Sequence, residues 1–444
     1  MFGYLLNSQQ RTQLSKTWGL AWPVILANLS LPLLSLVDAS ILGHLPDSVY
    51  LAGVTVGGSL MAYIFWGFNF LSMGLSGFTS QLLGKGDYAG IQLQLKKYCL
   101  VAIALIVLVL CLHRVFIQAG LAVIGPASDI AQEANVYLSI RMLGVPAIVF
   151  NTMLLGFFIG LQNTRISLYS LSITQIMNIG LNLLFVFGFG YKTAGIALGT
   201  VISEYMGLGL ILWHLRKTWR HHQSITTITH RLAFRWSEFT PIFHVSSHLF
   251  VRTFVLLTAF VWFNRMAANF GSVALAANGV LLAFFTLISH FLDGTAAAAE
   301  AQTGHAVGQN NPALLRQVWG ASATLNACFM ISLSGLFFVG GGAFLHLLTN
   351  QNDIYQYAYA QLTWVAILPL TGGIAFWLDG VFIGARRSKD MRNSVLIAFA
   401  FFVLGSWFFA QSNTQLWMWF NVFFAARSFW LLTVFYKKML SASA

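Results

Sequence analysis

The chain has 444 residues, of which 57% are hydrophobic and only 8% charged. Soluble domains carry roughly 25% charged residues, so this composition excludes an ordinary water-soluble fold: lipid must be the solvent. The net charge of +12 would point to nucleic acid in a soluble protein, but the basic residues sit between apolar runs, where they act as orientation signals.

A helix needs about 20 apolar residues to cross the hydrocarbon core. Hydrophobic runs place twelve helices, at 18–42, 51–82, 96–124, 134–160, 166–190, 194–216, 241–268, 275–305, 315–349, 355–385, 393–411 and 413–436. Several exceed a single span, which implies tilt or extension beyond the bilayer. No cleavable signal peptide is evident. Arg11 and Lys16 precede an apolar run that contains Asp38, so this run reads as a retained first helix.

Orientation follows from the cations. With the N-terminus in the cytoplasm, most of the 24 basic residues fall inside, among them Arg11, Lys16, Lys96, Lys97, Arg165, Arg216, Arg316, Arg386, Arg387, Arg392, Arg427, Lys437 and Lys438. Lys192 and Arg265 fall in external loops, and Arg141 and Arg252 lie within helices. The bias predicts a multi-pass protein of a bacterial inner (cytoplasmic) membrane with both termini cytoplasmic. The longest polar stretch, 217–240, carries Lys217, Arg220, His221, His222, His230, Arg231 and Arg235. It is expected to be a cytoplasmic basic linker between an N-terminal six-helix lobe, 1–216, and a C-terminal one, 241–444.

An internal repeat agrees with that division. A shift of 224 residues sets Gly156-Phe157-Phe158-Ile159-Gly160 on Gly380-Val381-Phe382-Ile383-Gly384. The same shift pairs Leu51-Ala52 with Leu275-Ala276, Thr79 with Thr303 and Gly84 with Gly308. Equal helix counts and equal orientation make the halves parallel repeats, and a ligand path is expected at their interface.

Five acids lie inside the apolar helices: Asp38, Glu204, Asp293, Glu300 and Asp379. A charged side chain at the bilayer centre costs roughly 2.5–3.5 kcal/mol on insertion scales, so such groups face the bundle interior and serve ions, protons or substrate. The structural alternative is a hydrogen bond, or an ion pair with Arg141 or Arg252. Asp38 has no basic residue nearby in sequence and could alternate between charged and protonated states. Gln175, Asn178 and Asn182 recur at helical spacing, which puts three amides on one face as partners for Asp38 or as plain interhelical hydrogen bonds. Glu204 lies one turn after Thr200 and is a candidate second proton carrier, with Asn151 near the same cavity. Asp293 and Glu300, two turns apart, should point the same way, and the repeat sets them against Asn69 and Ser76. With Asp379 they are candidates for attracting a cationic substrate. Phe65, Trp66, Phe68 and Phe150 are candidate pocket aromatics or lipid-facing residues. His290 is a proton relay or a core residue. Pro23 could hinge the first helix or merely kink it.

Cys99, Cys111 and Cys328 have no metal-like spacing, and no metal site or cofactor is expected. Absence of a Walker loop argues against direct ATP drive. Absence of a nucleophile–base pair argues against a membrane-embedded enzyme, and absence of a filter-like loop against a channel.

The segment Leu33 to Gly43 with Pro23 and Pro32 upstream resembles the multidrug and toxic compound extrusion (MATE) family, most closely its bacterial DinF branch. Gly53-Val54, Ile202-Ser203-Glu204-Tyr205, Leu378 to Ala385 and Arg392-Asn393-Ser394 add to the likeness. The resemblance implies an all-α membrane fold, two six-helix lobes in a V related by pseudo-two-fold symmetry, and export of drugs driven by H⁺ or Na⁺. It implies a role in cation coupling for Asp38. Asn178 and Asn182 resemble the family's Asn-x-x-x-Asp pair, with Asn182 standing where many members have Asp. That departure weakens a Na⁺ site, since an amide oxygen supplies less charge than a carboxylate. In Na⁺-coupled relatives an acid at the Asp379 position joins one on the seventh helix, and 241–268 here holds no acid. The expectation is therefore a monomeric proton-coupled antiporter of cationic or amphiphilic organic compounds. In it, protonation of Asp38 would rearrange its contacts with Asn178 and Asn182 and bend the first helix near Pro23. Na⁺ coupling and a lipid-linked precursor flippase of the same superfamily stay open as alternatives.

Overall fold

The computed structural model describes residues 8–45, 47–222 and 236–441. Helices α1 (Ser8–Gly43), α2 (Ser48–Gly84), α3 (Tyr88–Ile124), α4 (Ser128–Met142), α5 (Val145–Gly160), α6 (Arg165–Leu183) and α7 (Lys192–His222) precede the linker. After it come α8 (Trp236–Ala268), α9 (Ser272–Gly308), α10 (Pro312–Leu348), α11 (Asn352–Gly384), α12 (Ser388–Phe409) and α13 (Asn413–Phe435). The described residues contain no strand. Ten of these helices are long and apolar enough to span a membrane, and α4 with α5 makes an eleventh candidate if the bent pair is one span. With α1, a helix of 36 residues, twelve rods run through the chain.

The helix expected at 134–160 is the pair α4 and α5, bent by 56°. The break lies at Leu143-Gly144, directly ahead of Val145-Pro146. Pro146 has no N–H to donate to the Met142 carbonyl, so α4 cannot run on through it, while the first turn of α5 tolerates it. Other departures are at polar ends that apolar runs underestimate. α3 starts at Tyr88, where the Asp87 side chain accepts from the Gly90 amide at 2.7 Å. Asn311 caps α10 ahead of Pro312; α13, capped by Ser412, starts where expected. Such side chains satisfy amides that have no partner within the helix. The helix expected at 166–190 is α-helical only to Leu183 and closes in a π turn, Leu184–Gly188. α7 continues to His222 and α8 begins at Trp236, so both ends of the expected 217–240 linker are helical. His230, Arg231 and Arg235 lie outside the described residues.

The chain packs as two units. One comprises Leu26–Leu75 and Gly86–Phe239; the other comprises the chain up to Ile25, Ser76–Lys85, and everything from Thr240 on. α1 therefore belongs half to each, and the last stretch of α2 belongs to the second. The Thr17 hydroxyl donates to Gln302 Oε1 at 2.9 Å, and Trp18 stacks on Phe329 with ring centroids 6.1 Å apart. Pro23 is buried just before the crossing, and α1 runs through it without a break.

The 224-residue repeat recurs as packing. A side chain at Gly156 would strike the carbonyl oxygen of Ser72, and one at Gly380 would strike that of Ala296, each residue 224 positions after its counterpart. In the second unit the repeats also meet each other. A side chain at Gly84 would strike the His305 carbonyl, and one at Gly308 the Gln81 carbonyl. Those four residues exchange under the same shift, as expected for a pseudo-two-fold axis passing between α2 and α9. Only glycine allows backbones this close.

Much of the aromatic content fills the core of the second unit. Phe263, Phe402, Trp417, Phe420 and Phe423 are fully buried, and Phe263 meets Trp417 edge to face with centroids 4.9 Å apart. Such pairs contribute about 0.5–1.5 kcal/mol each beyond area burial.

Candidate functional site

α6 turns its amide stripe inward: Gln175, Asn178 and Asn182 are buried, Asn182 completely. The three residues share a face because their spacing spans two helical turns. Asp38, half-buried on the second part of α1, accepts through Oδ1 from Asn182 Nδ2 at 2.7 Å. Asn182 Nδ2 also donates to Asn178 Oδ1 at 2.7 Å. Asn178 Nδ2 donates onward to Thr200 Oγ1 at 2.9 Å and Ser203 Oγ at 3.4 Å, both on α7. No ion pair holds Asp38 among the described residues, although Arg141 lies in electrostatic reach.

This arrangement suits an acid that changes charge. The amide donor of Asn182 stabilises the carboxylate. Its Oδ1 is buried without a partner and could accept from a protonated Asp38 after a small rotation. One carboxamide serves both states, which a second acid could do only by gaining its own proton. Gly199 makes the room: a side chain there would strike Asn182 Oδ1. The structure brings Asp38, Asn178 and Asn182 together. Gln175, on the same stripe, has a buried Nε2 without a partner.

Glu204 is different. Both its oxygens accept from Arg141, Nη1 to Oε2 and Nη2 to Oε1, each at 2.8 Å. Gly144, at the α4–α5 break, leaves space for the carboxylate, and the guanidinium lies over the Phe65 ring at 5.2 Å. Removing one partner from a buried pair costs about 3–5 kcal/mol. Glu204 is thus a structural anion, and the expectation of a second proton carrier there is corrected. Asn151 supports the same place by donating to the Glu204 carbonyl at 2.9 Å. Phe150 is half-buried, Phe68 buried and Trp66 exposed, so these aromatics do not form one surface.

In the second unit Asp379 is a buried anion rather than a cavity residue. Its Oδ2 accepts from Arg427 Nη2 at 2.8 Å and from Arg252 Nη2 in a very short contact. Arg427, expected at the cytoplasmic face, is 2% exposed in the middle of α13. A guanidinium there escapes the bilayer's charge penalty by pairing.

Asp293 and Glu300 share a helix face and the reach of Arg252 but differ in burial. Two helical turns keep azimuth but move about 10 Å along the axis. Asp293 is exposed and in electrostatic reach of Arg252 and Asp379, so it faces inward rather than to lipid. Glu300 is only 7% exposed, because α11 packs on α9 there, Gly384 lying against the Glu300 carbonyl. His290 is half-buried with an unpartnered Nδ1. No group of His, Cys, Asp and Glu among the described residues could hold a metal ion.

Comparison with known proteins bears on both fold and site. The MatE family model matches residues 23–184 and 249–408, once in each half. The DNA damage-inducible protein F of Escherichia coli strain K12 is 33% identical over 421 residues, covering 94% of this chain and 91% of that protein. A probable multidrug resistance protein NorM of Photorhabdus laumondii is 23% identical, covering 84% of this chain and 82% of its own. The eukaryotic MATE transporter AtDTX14 superposes with a TM-score of 0.85 at 17% identity over 98% of both chains. A MOP superfamily transporter from Pyrococcus furiosus, described by the reversed polarity of its binding pocket, superposes with a TM-score of 0.85 at 17% identity, covering 97% of this chain and 96% of that one. The fold is the all-α, multi-pass membrane fold of those transporters.

Proposed function

The chain belongs to the MatE family, and from that premise we propose that it exports cationic or amphiphilic organic compounds in exchange for protons, with Asp38 as the coupling acid. The relatives named as multidrug resistance and multidrug export proteins support the substrate class. The observation that carries the coupling is the carboxyl of Asp38 in α1, bonded to an amide and, among the described residues, to no cation. Charged, it needs that amide and the distant field of Arg141. Protonated, it is neutral and free of the bilayer's charge penalty. Gaining a proton therefore breaks the bond from Asn182 Nδ2 and turns the acid toward Asn182 Oδ1, rearranging α1 against α6, and losing it restores the first bond.

Asn182 in place of an acid leaves one carboxylate at this point, which disfavours Na⁺. A flippase for an anionic head group would need unengaged cations in the membrane. Arg141, Arg252 and Arg427 are each bonded to a carboxylate instead. The exposed carboxylate of Asp293 is the group that would meet a cationic substrate. A bacterial inner membrane with both termini cytoplasmic is the placement consistent with the basic loops.

The test is export of ethidium from everted vesicles under an imposed pH gradient, with and without Na⁺. Parent protein should respond to the pH gradient and not to Na⁺, and Asp38→Asn should show no response to either. Export by Asp38→Asn at the parent rate would overturn the assignment.

A further inference from the structure

The mid-helix charges balance in a telling way. The first unit holds two acids, Asp38 and Glu204, and one arginine, Arg141. The second holds three acids, Asp293, Glu300 and Asp379, and two arginines, Arg252 and Arg427. Each unit thus has one more acid than arginine. In the first, Arg141 is taken by Glu204 and the surplus is Asp38. In the second, Arg252 and Arg427 are both bonded to Asp379, and Asp293 lies in reach of Arg252. Glu300 lies in electrostatic reach of Arg252 as well, and neither acid is bonded to it among the described residues; of the two, Glu300 is the one that is buried.

Glu300 has the burial but not the partners of a structural anion. It is 7% exposed. It makes no ion pair among the described residues; Ser76 of α2 is the polar side chain beside it, and its Oε1 is shielded with no hydrogen-bond partner. The neighbours along α9 are Gly294-Thr295-Ala296-Ala297-Ala298-Ala299 before it and Ala301 after it, which offer no second charge. A carboxylate in such a place is costly, and a single proton removes the cost. The charged group in electrostatic reach of it is Arg252 on α8, and its polar neighbour is Ser76 on α2; Arg252 shares Asp379 with Arg427 on α13, and on α9 itself His305 lies in reach of Lys16 of α1. The two arginines are already bonded to Asp379.

Position adds a role. Glu300 lies one turn before Gly304 and two before Gly308, where α9 meets the side chain of Ser80 and the backbone of Gln81 and Gly84 on α2 and of Gly384 on α11. Contacts this close exclude water. A charged Glu300 needs water or a cation, so charge on it favours parting of these helices, and a proton on it favours their closure.

We propose that Glu300 is a second proton-carrying carboxyl, so that each unit holds one acid that cycles: Asp38 in the first and Glu300 in the second. This rests on proton coupling as proposed above, but its test is separable. Full-length protein in proteoliposomes is examined with ethidium for the ratio of protons to dye at the reversal point, and by infrared titration of carboxylic acid bands. Glu300→Gln, which mimics the protonated acid, should halve the proton-to-dye ratio while keeping ethidium affinity within about twofold. It should also remove one pH-dependent acid band, and Glu300→Asp should restore both readouts. An unchanged ratio and unchanged bands in Glu300→Gln would overturn the proposal. So would a lost band that in the parent never changes with pH, since a permanently protonated acid carries nothing. If Asp38→Asn kept full coupling while Glu300→Gln lost it, the Asp38 reading would fail and this one would stand.

Discussion

Asp38 and Asp379 are both carboxylates in spanning helices of one chain, yet their surroundings assign them opposite behaviour. Asp379 is gripped by two guanidiniums, and Asp38 by one carboxamide. Guanidiniums cannot be deprotonated at accessible pH, so protonating Asp379 would strand positive charge in the membrane. An amide is neutral in both states and lets Asp38 change charge at moderate cost. The partner, more than the depth, decides which acid is a fixture and which is a switch.

The contrast can be broken first at its rigid end. Asp379→Asn leaves two buried cations facing each other and should destabilise the protein by about 3–5 kcal/mol, read as a lower melting temperature in detergent. An unchanged melting temperature would mean that the triad is not a structural anchor. At the mobile end, Asn182→Ala removes a hydrogen bond to a charged group, worth about 1.5–3 kcal/mol. The charged carboxylate then needs a lower proton activity to form. The pH profile of ethidium export should move upward while the protein stays folded; an unmoved profile would separate Asn182 from coupling. Gly199→Ala pushes a methyl into the same carboxamide, with a cost of about 1–3 kcal/mol. It should change the pH profile in the same sense as Asn182→Ala, whereas loss of stability alone would mark Gly199 as packing only. Pro23→Ala carries the smallest expected effect. It restores one backbone bond in α1 where the helix crosses between units, and a hinge there predicts slower export, by about threefold, at unchanged stability. Export at the parent rate would make Pro23 a static kink.

The amide stripe was legible because side chains recurring every turn of one helix must share a face, and Asp38 because nothing basic adjoins it. Its partner on α6 is 144 positions away, and spacing alone could suggest the contact without establishing it. Glu204 and Arg141 were both visible as intramembrane charges, but their bidentate bond is a tertiary fact. Arg427 was misplaced by the habit of assigning cations to helix ends. Its flanks, Phe423-Phe424-Ala425-Ala426 and Ser428-Phe429-Trp430, carry the apolar signal that would have placed it mid-helix. Val145-Pro146 likewise announced the break between α4 and α5. The difference between Asp293 and Glu300 could not be read, because helical spacing reports azimuth and not what packs at each depth. The cap residues Asp87 and Asn311 marked true helix starts that hydropathy alone put several residues late, whereas the start of α13 behind Ser412 was legible at Asn413.

The most direct measurement is proton movement driven by a dye gradient. Proteoliposomes are loaded with ethidium, diluted with no imposed pH difference, and followed by an internal pH indicator. The parent protein should move protons inward as dye leaves, and Asp38→Asn should leave the internal pH at background. Equal proton movement by parent and Asp38→Asn would contradict the central role given to that carboxyl.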